Sequence, residues 1–130
     1  MTAESANTEQ LDLLDTLMAA VPASWGPATV NRFRTCGTAS GEGGIQITRE
    51  IRGEGVTDAS TAAKSFRAAL VEHGFDAEIR RGTEVVGTGD ADRFAAFNSQ
   101  EGSAIIQAYS ACYPFDLEHD KPTVPPSPSP

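Results

Sequence analysis

The chain has 130 residues, 39% hydrophobic and 22% charged, which leaves room for one packed domain with its tails but not for two cores. Eighteen Asp and Glu against ten Lys and Arg give a formal charge of -8, which repels phosphate backbones and anionic headgroups and excludes nucleic acid as an expected partner. No apolar run approaches the roughly 18 residues of a membrane span, and Met1 to Gln10 carries acids where a signal peptide carries a basic and then an apolar segment.

The first periodic segment starts at Asn7, read as an N-cap with Gln10 returning a bond in the manner of a capping box. Leu11, Leu14, Met18 and Val21, with Leu17 beside them, form the apolar stripe of a helix that Pro22 ends. Trp25, in the turn Ala23-Ser24-Trp25-Gly26-Pro27, is expected as a lid on the core. Thr29 to Cys36 alternates weakly and reads as a short or edge strand. The glycines of 37–44 join strand to strand; a phosphate loop needs a helix after them and a Gly-Lys-Ser/Thr run, and neither is there.

The clearest strand follows, with Ile45, Ile47, Arg49 and Ile51 on one face and Gln46, Thr48, Glu50 and Arg52 on the other. Arg49 is on the apolar side, so it is expected at the rim with its head in water, or against an acid at the core edge. Asp58 caps a second helix running to about His73, with a narrow alanine-rich face, and Gly74 fits the left-handed position after it. Phe75, Ala77 and Ile79 alternate in a strand, Val85-Val86 continues it or pairs back, and 87–92 is a polar turn too poor in carboxylates for calcium. A last hairpin runs from Arg93 to Asn98 and from Ser103 to Cys112 around Gln100-Glu101-Gly102. Its second strand sets Ala104, Ile106, Ala108, Ser110 and Cys112 against Ile105, Gln107, Tyr109 and Ala111. Beyond Asp116 the prolines alternate with Ser and Thr in a polyproline-like tail.

This order predicts an α+β domain: a two-layer sandwich, mainly antiparallel sheet with two helices on one face. Residues 1–7 read as a flexible N-terminus, 8–115 as the domain and 116–130 as the Pro/Ser-rich tail. Tyr109, Gln107 and Arg49 are the candidate binding residues, on the expectation that the smaller side chains of the last strand pack under the helices and leave an open amphipathic face; the opposite register, with the other face exposed, is the alternative.

Cys36 and Cys112 are the two cysteines, neither in a Cys-x-x-Cys pair nor near histidines at metal spacing, so no metal is expected. Each ends a predicted strand. A disulfide between them implies an oxidising compartment; the alternative is two buried thiols in a cytosolic core. Catalysis is not expected, because the histidines are His73 at a helix end and His119 in the tail, and no Gly-x-Ser-x-Gly elbow occurs. No cofactor is called for.

Cys36 at a strand end, Trp25-Gly26-Pro27, Gly43-Gly44 before an Ile-rich strand, Gly74-Phe75 and the closing Ser110-Ala111-Cys112-Tyr113-Pro114 together resemble small uncharacterised exported proteins and lipoprotein ectodomains of actinobacteria. The likeness spans about Leu11 to Pro114. It implies an envelope-associated domain with a Cys36–Cys112 bond, no assigned reaction, and a signal or lipid anchor outside this stretch of chain. The expected function is therefore a monomeric, exported, non-enzymatic binding or interaction domain for an unknown protein or envelope component. The competing expectation is an acidic inhibitor or immunity protein that masks a basic enzyme.

Overall fold

In the computed structural model, which describes residues 2–37 and 43–116, the alternating run Gly43–Gly53 is the longest strand and organises the sheet. The elements are α1 (Ala3–Ala20), β1 (Ala28–Gly37), β2 (Gly43–Gly53), α2 (Ala59–Glu72), β3 (Asp76–Arg80), β4 (Glu84–Thr88), β5 (Phe94–Gln100), β6 (Ser103–Tyr109) and β7 (Tyr113–Pro114). Every ladder is antiparallel, in the order β1-β2-β6-β5-β4-β3, with β7 added to β2 beyond the end of β6. The α2 crossover carries the chain to the far edge, and three hairpin turns bring it back beside β2. Both helices cover one face, which is the α+β two-layer architecture that the element order predicts.

Helix α1 begins earlier than its apolar stripe suggests. Thr2, not Asn7, is the N-cap: its hydroxyl accepts from the Ser5 amide at 3.1 Å, and Ser5 Oγ accepts from the Thr2 amide at 2.9 Å. Residues 3–7, expected as a flexible lead, are thus the first turns of the helix. The Pro/Ser-rich tail lies, except for Asp116, outside the described residues, as does His119.

Asp58 caps α2 as expected, accepting from the Thr61 amide at 3.1 Å and the Thr61 hydroxyl at 2.8 Å. These bonds, the amide first, hold its carboxyl below the usual aspartate value. A carboxylate with a depressed folded-state value contributes stability above its unfolded value near 3.9, and that contribution is lost as pH falls through the folded value. Asp58→Ala should therefore lower the melting temperature at neutral pH, with the gap from wild type closing near pH 2. Thermal melts at both pH values check this.

The main core lies between helices and sheet. Phe66 of α2 stacks on Phe97 of β5 at 5.1 Å between ring centroids, and each is worth about 2–3 kcal/mol of burial. Close approach is set by Gly87, where a Cβ would stand 2.8 Å from Leu70 Cδ1, and by Gly53, where one would stand 2.5 Å from the Ala23 carbonyl oxygen. Trp25 is a half-buried lid as expected, its indole N–H donating to the Val21 carbonyl at 2.6 Å. A second, smaller cluster of Ala6, Ile45, Ile47 and Tyr113 closes the end of the sheet near the disulfide.

Candidate functional site

The face away from the helices is built row by row by the register. Arg32 of β1 stands beside Thr48 of β2, Thr48 beside Tyr109 of β6, Tyr109 beside Phe94 of β5, and Phe94 beside Thr88 of β4. The next row runs Glu50, Gln107, Ala96, Val86. Cross-strand neighbours share a face, so the open surface has an aromatic and aliphatic centre with arginines along the β1 side.

Tyr109 is the hub. Phe94 packs on it at 4.9 Å between centroids, and the Arg34 guanidinium lies 4.4 Å from its ring centroid, reaching across β2 to do so. Stacking of this kind fixes the planar face of the cation and leaves its in-plane N–H donors for an anion. Arg34 and Tyr109 together border two adjoining hollows. One, of about 330 Å³, runs under the β4–β5 connection between Cys36, Gln46 and Phe94; the other, of about 480 Å³, lies toward Arg32 and Thr48.

One end of this face is closed by polar bonds. Gln46 is buried, although it belongs to the open face, because its side-chain amide donates to the carbonyls of Ser110 at 2.8 Å and Asp92 at 3.1 Å. The strand expected to run to Cys112 stops at Tyr109. Ser110 stays on the ladder through its hydroxyl, which accepts from the Ile47 amide at 2.8 Å, while the Cys112 amide turns to the Ala91 carbonyl at 2.7 Å. That excursion brings Cys112 to Cys36, and the two are disulfide-bonded with their Cα atoms 6.1 Å apart. The bond ties the end of edge strand β1, where Cys36 lines the smaller hollow, to the 110–112 excursion.

Of the three candidate residues, Tyr109 and Gln107 share the open face and Arg49 does not join them. Gln107 is exposed and donates to Glu50 Oε2 at 3.1 Å, a carboxylate that Arg52 also holds at 2.8 Å. Arg49 is fully buried on the helix side, where it donates to Asn7 Oδ1 and Gln10 Oε1, each at 2.7 Å. The rim position expected for it is overturned by α1: with the helix starting at Ala3, Asn7 and Gln10 lie over the strand instead of capping. Burial also pulls the guanidinium below the ordinary arginine value.

Arg32, Arg34 and Phe94 are the site residues the sequence reading did not select. Alternation in β1 puts both arginines on one side, but only the register of three strands shows that this side meets Tyr109. Among the described residues no group of three or more His, Cys, Asp and Glu is placed to hold a metal ion.

No family model and no curated protein matches the chain. Its fold is similar to the crystal structure of a DUF4853 family protein from Actinomyces odontolyticus, with a TM-score of 0.56 at 14% sequence identity over 88% of this chain and 73% of that one.

Proposed function

We propose that this chain is a non-enzymatic binding or interaction domain of an exported or cell-envelope protein, and that it takes its ligand on the open sheet face around Tyr109. The observation that carries the reading is the amphipathic face itself. Both helices pack on the opposite side, and Tyr109, Phe94 and Arg34 form a stacked group bordered by two hollows. Flat surfaces with an aromatic centre and a charged margin suit recognition by contact. The disulfide supports export, since such bonds persist in oxidising compartments and are rare in the cytosol.

A photo-crosslinking residue placed at Gln107 should trap a specific adduct from a native envelope or culture-supernatant fraction, whereas one at Lys64 on α2 should not. Tyr109→Ser should weaken that capture about tenfold while costing only about 1 kcal/mol of stability, the scale of a cross-strand aromatic pair. Equal adducts from both positions would sink the assignment of the face.

The formal charge of -8 favours a second reading, the acidic inhibitor of a basic enzyme. Salt separates the two. Adducts lost steeply between low and high ionic strength support the inhibitor, and adducts that survive support recognition through the aromatic group.

A further inference from the structure

The two edges of the sheet are built differently. The outer edge of β3 is five residues long and has its Ala77 carbonyl taken by Arg67 Nε at 2.9 Å. These are the usual devices that stop a strand from pairing further. The outer edge of β1 is ten residues long and has no strand beside it among the described residues.

Its hydrogen-bonding phase can be worked out. The Ile47 amide and carbonyl bond to Ser110, on the side of β2 away from β1. Phe33, directly opposite Ile47, is therefore in a non-hydrogen-bonded pair and turns its own N–H and C=O outward, as does Thr35 two residues on. An antiparallel strand added there would bond Phe33 and Thr35 and stand in close, non-hydrogen-bonded pairs with Arg32 and Arg34. Side chains in such pairs approach most closely, so the residues opposite the two arginines are the ones that discriminate.

Arg32 and Arg34 are both exposed and form no ion pair among the described residues, in a chain with eight more acids than bases, Arg34 resting instead on the Tyr109 ring. A second copy of β1 is a poor occupant, because overlapping antiparallel registers bring arginine near arginine. We infer that the β1 edge accepts an extended segment of a partner protein by strand addition, with acidic side chains two residues apart facing Arg32 and Arg34. Main-chain bonds to Phe33 and Thr35 supply affinity and the two arginines set the register. The inference rests on the binding-domain reading and adds the β1 edge to it; Arg34 is shared with the Tyr109 hollows, so an acid opposite it draws the guanidinium from the Tyr109 ring.

The probe is a fluorescent eight-residue peptide alternating Glu and Thr, titrated into the full disulfide-bonded chain by anisotropy, with amide exchange of β1 followed by NMR. Expected are saturable binding, slowed exchange at Phe33 and Thr35, and a loss of at least about fivefold when Lys replaces Glu. The same loss should follow in the Arg32→Glu/Arg34→Glu variant, which should then prefer the Lys peptide. Retained circular dichroism and a retained disulfide show that the variant is folded. A backbone N-methylated Glu peptide that binds equally well, or an unaffected double variant, overturns strand addition and leaves charge attraction only. The chain's own Asp116, Glu118 and Asp120 have the same alternation. Concentration-dependent self-association that disappears on removing residues 117–130 would assign the edge to a second copy's tail and overturn the partner. Adducts at Gln107 together with a failed titration would leave the Tyr109 reading intact and remove only this one.

Discussion

Reducing the Cys36–Cys112 bond is expected to lower the melting temperature by roughly 15 °C, because a cross-link that closes a loop of 76 residues removes about 4 kcal/mol of unfolded-state entropy from a domain of ordinary marginal stability. The loss should begin locally. Among the described residues β1 is paired on one side only, with β2, and its Cys36 end is tied to the 110–112 excursion by this bond. Under reductant, exchange of β1 amides should rise before that of β5 or β6, and capture at the open face should fall further than global stability does. Calorimetry with and without reductant, beside the Cys36→Ser/Cys112→Ser variant, makes the test. Reduced wild type and variant should melt together, well below the oxidised protein, whose mass should be two hydrogens under that of the reduced form. Readily alkylated thiols in air-refolded protein, or coincident melts of oxidised and reduced chain, would remove the bond and with it the chief support for export.

The elements that could be read in the sequence are those whose signal is local. Ile45, Ile47 and Ile51 define β2 by alternation, Asp58 announces α2 by its own side chain, and the small Ala104 and Ala108 favour, without deciding, the helix-facing side of β6. The arrangement at the site depends on register, which is non-local. Arg34 and Tyr109 are 75 positions apart and meet because two ladders are in phase, and no periodicity within either strand states that phase. β7 escaped notice for a related reason: it has two residues, and Ser110, still bonded to Ile47, leads into Ala111 and Cys112, which leave the ladder in what looks like ordinary strand sequence. The misreading at α1 and the misplacement of Arg49 are one error. Asn7 and Gln10 have the residue types of a capping box, and they point inward to satisfy an arginine that the strand pattern had already marked as being on the apolar side.

That buried arginine yields the second large effect. Arg49→Ala should cost about 3–5 kcal/mol, since it opens a cavity beneath α1 and leaves the buried Gln10 oxygen and the half-buried Asn7 oxygen without their donor. Arg49→Met fills most of the volume and should cost less, about 1–3 kcal/mol, the remainder reflecting the two oxygens. A double-mutant cycle of Arg49→Met with Asn7→Ala isolates the pair and should return a coupling above about 1 kcal/mol. Gln10 makes the effect larger than one contact suggests, because its amide also donates to the carbonyls of Ile47 at 3.0 Å and Ala108 at 3.2 Å, pinning α1 across β2 and β6. The sign with pH is distinct from that of Asp58. A base whose folded-state value is lowered by burial opposes folding wherever it is charged, and arginine stays charged throughout the accessible range, so the Arg49 penalty should be flat from acid to neutral pH. If Arg49→Met melts above wild type and the cycle shows no coupling, the cluster costs more in desolvation than its bonds return, and α1 is held by Leu13, Leu14 and Leu17 instead. If the cycle couples as expected, the polar contact fixes where along the strands the helix sits, which three leucines on one helical stripe do not specify.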